Sequence, residues 1–176
     1  MKIVVDTSSL LSLEFMGILE DSFEITEVYI TNIVDAELKE IASYKDEKSR
    51  LAKNVLKFIS GGKIKCININ NEAFSKYLSR NVDAGEASCL ALCILENIPL
   101  LITDDADAAY SLGRIAMLER IKIRICVAVL MELIKAGIIT KIEATKKMKN
   151  LIKQRSWEGG VLEVLVMKYI EENDVK

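Results

Sequence analysis

The chain has 176 residues, of which 51% are hydrophobic and 28% are charged, with a formal net charge of −2 and no histidine. Length and composition predict a globular domain with a substantial core, and they exclude a disordered chain or an overtly basic nucleic-acid binder. The absence of histidine excludes Ser-His-Asp and Cys-His catalysis and histidine-ligated zinc. Any chemistry must therefore use carboxylates, hydroxyls, lysines or a hard metal ion.

In chain order, short apolar strands alternate with helices. Strands are predicted over residues 2–6, 27–31, 63–69, 98–103 and 121–127. The first helix is predicted from Ser8 or Ser9 to about Glu20. The later helices begin near Asn32, cover 46–60, 71–79 and 83–97, begin again around Asp104 to Asp107, and fill the remainder except for a break at Gly159 and Gly160. Strands joined by helices imply parallel pairing in an α/β fold.

The residue pattern of each strand predicts its place in the sheet. KIKCINI and IKIRICV alternate polar and apolar residues, as edge strands do, whereas IVV and PLLI are continuously apolar, as covered strands are. We therefore predict a three-layer α/β sandwich around a central five-stranded parallel sheet of order 3-2-1-4-5. Residues 1–130 are expected to form this domain, and residues 131–176 a C-terminal helical extension packed on it.

The location follows from what the sequence lacks. No apolar run approaches the roughly 18 residues that a membrane span needs. The first residues, MKIVVDTSSL, lack the apolar segment and cleavage site of a signal peptide. We expect a cytoplasmic protein without membrane association. The four cysteines form no CxxC pair, which disfavours zinc ribbons and redox motifs.

Acidic residues follow the two central strands of the predicted sheet. Asp6 ends the first strand, and Asp104, Asp105 and Asp107 follow the fourth in the stretch LLITDDADAA. In the predicted order these strands are neighbours, and the switch point of the sheet lies between them. Ligands of open α/β sheets bind at the carboxyl ends of strands at such a point.

Two further carboxylates, Glu37 and Glu86, lie near the starts of helices that could reach the same point. Two carboxylates about 4 Å apart repel by roughly 4 kcal/mol at an effective dielectric near 20, so either some of them are protonated or a cation neutralises them. Oxygen ligands alone favour Mg²⁺ or Mn²⁺. Such an ion activates water and stabilises phosphoryl charge, so the residues predict metal-assisted phosphodiester hydrolysis.

Each acid also has a structural interpretation. One of the aspartates after the fourth strand could simply cap the next helix. Asp83 and Glu86 have the spacing of a capping box. Glu37 could lie on an exposed helix face, and Asp6 could accept hydrogen bonds from the serines that follow it. The shared position of the acids at strand ends favours the metal site.

Four segments in this order, VVDTSSL, TNIVDAEL, DAGEASCLALC and LLITDD, resemble the PIN domain over roughly residues 1–130. PIN domains are metal-dependent ribonucleases that include the VapC toxins of toxin–antitoxin pairs. The resemblance implies a Mg²⁺- or Mn²⁺-dependent endoribonuclease that acts on RNA, forms a homodimer and has a protein antitoxin as partner. It also implies a set of catalytic acids, in which Asp104 is the alternative to the last: Asp6, Glu37, Glu86 and Asp105.

The resemblance also implies which residues hold the metal: Asp6, Glu86 and either Asp105 or Asp104. Polar neighbours would assist the metal or the substrate; these are Thr7, Ser8, Thr103 and Asp107. Two other functions stay open. One is a catalytically silent PIN-fold module that binds RNA or a protein. The other is a phosphatase with Asp6 as nucleophile, which usually requires a second aspartate where Ser8 stands.

A basic run that ends near Trp157 is a candidate RNA-binding surface, because phosphate contacts combined with aromatic stacking would have this composition. The alternative is a solvated helix face with Trp157 in the core. Arg114, Arg120 and Lys122 could equally border the acidic pocket. The run consists of Lys141, Lys146, Lys147, Lys149, Lys153 and Arg155.

Overall fold

The structure, a computed structural model, describes residues 1–174. The strands are β1 (Lys2–Val5), β2 (Glu27–Thr31), β3 (Ile64–Ile67), β4 (Leu100–Ile102) and β5 (Lys122–Arg124). The helices are α1 (Thr7–Phe15), α2 (Leu19–Ser22), α3 (Asn32–Ala42), α4 (Glu47–Ser60), α5 (Asn71–Phe74), α6 (Ala84–Leu95), α7 (Ala106–Leu118), α8 (Val127–Lys135), α9 (Lys141–Gln154) and α10 (Val161–Asp174). A 3₁₀ turn, Ser75–Tyr77, follows α5.

The sheet is parallel throughout and has the order β3-β2-β1-β4-β5, which confirms the predicted α/β fold and strand order. Val4 of β1 pairs with Tyr29 on one side and with Leu101 on the other. Ile3, Val4 and Val5 are fully buried, as expected for a central strand covered by helices. Lysine or arginine side chains on β3 and β5 are exposed at the two edges.

Most helices begin at a polar residue whose side-chain oxygen accepts a hydrogen bond from a backbone N–H in the first turn. This is the usual way to satisfy a donor that has no partner inside the helix. Within residues 1–174 these capping residues are Asp6, Thr31, Asp46, Asn70, Asp83, Asp105 and Thr140. Three of them, Asp6, Thr31 and Asp105, lie at or within three residues of the ends of β1, β2 and β4, so the chain turns into a helix at the carboxyl edge of the sheet.

The predicted helix from Ser8 or Ser9 to Glu20 is wrong in its extent. It ends at Phe15, and α2 begins four residues later. Gly17 lies between the two helices with φ of +64°, a left-handed conformation that glycine adopts readily. The Ile18 N–H donates to the Leu13 carbonyl at 3.1 Å and closes the end of α1.

The C-terminal helices pack on the core. Trp157 is only 8% exposed and belongs to the hydrophobic core, as do Leu151 of α9 and Val166 of α10. The stacking role considered for Trp157 is therefore wrong, because its ring is not available to a base. Helix α8 crosses the predicted boundary at residue 130, and the division into 1–130 and 131–176 stays a prediction. Within residues 1–174, no helix is both long enough and apolar enough to span a membrane.

Candidate active site

Asp6 is held in place by four hydrogen bonds at the carboxyl end of β1. It is 3% exposed and caps α1, where its Oδ1 accepts from the Ser9 N–H at 2.7 Å. The Ser8 hydroxyl donates to both carboxylate oxygens, at 3.2 and 3.0 Å. The Thr103 hydroxyl, which follows β4, donates to Oδ2 at 2.7 Å. The hydrogen bond from Thr103 shows that the ends of β1 and β4 meet.

Asp104 is buried beside Asp6, with 4% of its surface exposed. Its Oδ1 accepts from the Cys126 N–H at 2.9 Å. Its Oδ2 is buried and has no hydrogen-bond donor among the described residues. Burial, followed by the negative charge of Asp104, raises the pKa of Asp6 from 3.8 to about 6. The two carboxyl groups therefore repel each other when both are ionised.

Asp105 and Asp107 differ from Asp104 in being exposed. Asp105 caps α7, with its Oδ1 accepting from the Ala108 N–H at 2.8 Å. Its own N–H donates to the Thr103 hydroxyl at 3.1 Å. Thr103 thus links the backbone of Asp105 to the side chain of Asp6, but the Asp105 carboxylate itself serves as the cap of α7. Asp107 lies in the first turn of α7.

Glu37 reaches the same edge from α3. The Thr7 hydroxyl donates to its Oε2, and burial raises its pKa although this hydrogen bond acts in the opposite direction. Its carboxylate lies against the first turn of α6, where a Cβ added to Gly85 would stand 2.7 Å from Oε1. Gly85 therefore leaves the space that the Glu37 carboxylate occupies. The interpretation of Glu37 as a residue on an exposed helix face is therefore wrong.

Glu86 forms the capping box that its spacing with Asp83 predicted. The Glu86 N–H donates to Asp83 Oδ1 at 3.1 Å, and the Asp83 N–H donates to Glu86 Oε2 at 2.8 Å. Burial is the main cause that raises the pKa of Glu86, and the charge of Asp6 adds to it. Glu86 therefore lies close enough to Asp6 for the charge of Asp6 to contribute to its raised pKa. One oxygen of the Glu86 carboxylate is already used in the capping box.

Asp6, Glu37 and Glu86 line a cavity of about 290 Å³. The residues that follow β4 are not among its lining: Thr103, Asp104, Asp105 and Asp107. Two cations border it: Arg155, which belongs to the predicted basic run, and Lys48, which sequence reasoning missed because an exposed lysine in a charged helix has no distinguishing signal. The lining residues are Asp6, Thr7, Ser8, Leu11, Glu37, Ile41, Lys48, Asp83, Gly85, Glu86 and Arg155. Arg114, Arg120 and Lys122 are not among them.

The donor set suits a hard cation. Among residues 1–171, whose side chains the structure describes, no three acidic or cysteine side chains already converge as metal ligands. Glu37 and Glu86 instead accept hydrogen bonds from the Thr7 hydroxyl and from the Asp83 N–H. The buried Asp104 Oδ2 nevertheless lacks any donor, next to a second buried carboxyl group. A buried carboxylate oxygen without a donor is costly, and a divalent ion bound to that oxygen would remove the cost.

Comparison with known proteins agrees with this geometry. A family model described as PIN domain matches residues 2–170. No curated protein matches the chain. PIN domains are generally nucleases and typically use divalent metal ions. Since the match covers nearly the whole chain, and the sheet order and acidic strand ends agree with it, the chain belongs to the PIN domain family.

Proposed function

We propose that the protein is a Mg²⁺- or Mn²⁺-dependent endoribonuclease that hydrolyses phosphodiester bonds in RNA. The observation that carries this proposal is the buried pair of Asp6 and Asp104 at the ends of adjacent strands, with one Asp104 oxygen lacking a donor. Membership of a family whose members are generally nucleases supports a role for this pair in phosphodiester hydrolysis. A strand of RNA supplies the phosphodiester, and water supplies the nucleophile.

Asp6 and Asp104 would hold the ion, and Glu86 would join them by giving up its hydrogen bond to the Asp83 N–H. Burial favours Asp104 over Asp105 in this role, since the Asp105 carboxylate is exposed and used as a cap. When bound, the ion neutralises the carboxylates, makes water more acidic and stabilises charge on a phosphoryl oxygen. Thr103 and Ser8 fix the Asp6 carboxylate by donating to it.

Glu37 would act as the general base. Its raised pKa gives its carboxylate a higher proton affinity than that of an exposed glutamate, which suits a group that accepts a proton from water near neutral pH. Thr7 keeps the carboxylate in place through Oε2. The other oxygen, Oε1, is the atom that would receive the proton. Positioned general bases contribute roughly 10²- to 10⁴-fold to such reactions.

The test is cleavage of a long unstructured RNA with Mn²⁺ or Mg²⁺ by the wild type and by Asp6→Asn, Asp104→Asn and Asp105→Asn. We expect Asp6→Asn and Asp104→Asn to lose activity by more than about a hundredfold, because each removes a metal ligand. Asp105→Asn is the matched control, because asparagine caps helices as well as aspartate does. Cleavage that persists in EDTA, or a loss confined to Asp105→Asn, would contradict the assignment.

We further propose that the protein is a VapC-like cytoplasmic toxin that forms a homodimer and is inhibited by a protein antitoxin. The support is its PIN domain and the four sequence segments given above. Expression of the protein should arrest growth, and co-expression of a small protein encoded beside it should restore growth. Growth arrest by Asp6→Asn at equal expression would rule out cleavage as the cause. Light scattering of the purified protein tests the homodimer.

A second candidate is an RNA- or protein-binding module without catalytic activity. It is favoured by the capping box, because the Glu86 carboxylate already accepts a hydrogen bond and is only partly available as a ligand. Purified protein that binds Mn²⁺ and RNA but cuts no RNA over a broad range of sequences would select this candidate. Metal-dependent cleavage that is lost in Asp104→Asn would exclude it.

A further inference from the structure

Two basic side chains border the acidic cavity from different parts of the chain. Arg155 is the C-cap residue directly after α9, and Lys48 lies in the first turn of α4. Both line the cavity together with Asp6 and Ser8. Because the remaining charged lining residues are acidic, these two side chains are the positive charges that the described part of the cavity presents.

The guanidinium group of Arg155 lies over the face of an aromatic ring. Its guanidinium carbon lies 5.8 Å from the centroid of the Trp157 ring, and Trp157 is buried. Ser156 has a φ of +52°, and the Trp157 N–H donates to the Ile152 carbonyl at 3.0 Å, so the end of α9 has a fixed turn. A guanidinium over an indole face is stabilised by cation–π attraction. Arg155 is therefore positioned before any ligand binds.

A side-chain hydrogen bond joins the two segments that carry Arg155 and Lys48. Gln154, which precedes Arg155, donates from Nε2 to Oε2 of Glu47 at 2.9 Å, and Glu47 precedes Lys48. This side-chain hydrogen bond joins the end of α9 to the start of α4. It holds the two basic residues at a common edge of the cavity, although they are far apart in sequence.

Neither cation is neutralised by a carboxylate. Among the residues whose side chains the structure describes, 1–171, Arg155 and Lys48 form no ion pair within 4.0 Å, although Asp6, Glu37 and Glu86 line the same cavity. Arg155 is half-buried, so its guanidinium has already lost part of its hydration. A cation in this state is suited to bind a phosphate, since arginine offers paired N–H donors that match two phosphate oxygens.

We propose that Arg155 binds a backbone phosphate of the RNA next to the bond that is cut, and that Lys48 contacts a neighbouring phosphate. This inference rests on the proposed ribonuclease function. The acidic cavity alone would repel RNA, and the two cations provide the attraction that brings the phosphodiester to the carboxylates. It also gives the C-terminal helices a function: they deliver Arg155 to the site.

The competing explanation is that Arg155 only balances the negative charge of the cavity. The two explanations predict different effects of Arg155→Gln. If Arg155 only balances charge, its removal should tighten Mn²⁺ binding, since less positive charge opposes the ion, and should leave RNA binding and its dependence on salt unchanged. If Arg155 binds phosphate, RNA binding should weaken and depend less steeply on salt.

The experiment measures binding of a fluorescent single-stranded RNA oligonucleotide by anisotropy at several salt concentrations. The background is Asp6→Asn, which prevents cleavage, with and without Arg155→Gln, Arg155→Lys or Lys48→Gln. Lys153→Gln is the matched control, because it removes the same charge from the same helix but does not line the cavity. Thermal unfolding is measured on each variant, and Mn²⁺ affinity is measured on the Arg155, Lys48 and Lys153 substitutions with Asp6 retained. Wild-type cleavage of RNA is measured in parallel.

We expect Arg155→Gln to raise the Kd for RNA about tenfold and to reduce the slope of log Kd against log salt by about 0.7, one phosphate contact on a single strand. Arg155→Lys should restore part of the affinity, and Lys153→Gln should change little. An unchanged Kd and slope in Arg155→Gln, or an equal change in Lys153→Gln, would overturn the inference. If the wild type cuts no RNA but the effects of Arg155→Gln on RNA binding are as expected, the proposed ribonuclease function is refuted and the phosphate contact is not.

Discussion

At the scale of single residues, the proposed metal site depends on the difference between Asp104 and Asp105. The two are adjacent and chemically identical, yet one is buried beside Asp6 and the other is an exposed helix cap. The sequence has three aspartates after the fourth predicted strand, and it left open that one of them caps the next helix. It could not decide which one, because that depends on the direction of each side chain as the strand turns into the helix.

The first prediction concerns stability without metal. Burial raises the pKa of Asp6 from 3.8 to about 6, so the folded protein binds this proton more tightly than the unfolded chain does. The contribution of Asp6 to stability is therefore most favourable below pH 3.8 and decreases as pH rises through about 6. Above that pH, ionised Asp6 destabilises the metal-free fold by an amount on the order of 3 kcal/mol.

Asp6→Asn should accordingly unfold at higher urea concentration than the wild type at pH 8 in EDTA. The advantage should shrink when the pH is lowered to 5. Urea denaturation of both proteins at the two pH values checks this. Asp105→Asn is the control and should match the wild type within about 0.5 kcal/mol, since Asp105 is exposed and asparagine keeps the cap. A less stable Asp6→Asn at pH 8 would contradict the prediction.

The second prediction concerns Gly85. A Cβ at this position would stand 2.7 Å from Glu37 Oε1, at the flexible end of a side chain, so Gly85→Ala should displace the carboxylate without disrupting the fold. We expect RNA cleavage to fall by roughly ten- to a hundredfold, part of the usual contribution of a general base. Stability should hold or rise by up to about 1 kcal/mol, because alanine favours helix.

Gly113→Ala is the matched control for this substitution. Gly113 also lies within a helix, α7, and a Cβ added there would meet nothing within 4 Å. It should gain similar stability and keep full cleavage. If both alanine variants lost activity equally, or if Gly85→Ala kept full activity, Glu37 would not act at its present position.

At the scale of elements, periodicity and strand composition carried most of the information. The order β3-β2-β1-β4-β5 followed from two continuously apolar strands and two alternating ones, because solvent contact decides these patterns residue by residue. The capping box of Asp83 and Glu86 was also readable, since it depends only on local spacing. The division of the first predicted helix at Gly17 was missed, because glycine within a helical pattern is ambiguous without its φ.

The cavity itself was less predictable than the elements that build it. Arg155 was visible only as one of several basic residues, and Lys48 not at all, because their place at the cavity depends on how α9 and α4 pack. No pattern within α9 distinguishes Arg155 from Lys153. Contacts between segments far apart in sequence decide this, and they follow from the packing of the whole core.

The third prediction concerns the contact between α9 and α1. Lys147 Nζ donates to the carbonyl of Met16, the C-cap residue directly after α1, at 2.6 Å. A cation at a helix C-terminus satisfies an unpaired carbonyl and interacts favourably with the helix dipole. Lys147→Met should therefore destabilise the fold by about 1–2 kcal/mol. Urea denaturation measures this change.

Lys146→Met is the matched control for Lys147. Lys146 is the preceding residue on α9 and is exposed, so its substitution should alter stability by less than about 0.5 kcal/mol. Equal destabilisation by the two variants would show that helix propensity or net charge, rather than the bond to Met16, is responsible.

At the scale of the whole molecule, the proposed metal links the site to the stability of the fold. An ion that binds only the folded protein stabilises it by mass action, by about 2.7 kcal/mol at a hundred times its Kd. The fourth prediction is that Mn²⁺ raises the Tm of the wild type measurably at pH 8. Asp104→Asn, which lacks one proposed ligand, should show little increase.

The comparison is made by thermal unfolding in EDTA and in Mn²⁺. EDTA should cancel the increase in the wild type. A similar increase in both proteins would mean that Mn²⁺ binds elsewhere on the acidic surface.

The strand order has a consequence for the synthesis of the protein. β1 lies in the middle of the sheet, and its neighbour β4 comes about a hundred residues later in the sequence. A ribosome needs on the order of 10 s to make that intervening stretch. During this time Asp6 has no Thr103 or Asp104 to meet. The emerging polypeptide thus cannot assemble the acidic pair early, and the proposed ribonuclease site forms only after the ribosome has translated its messenger RNA beyond β4.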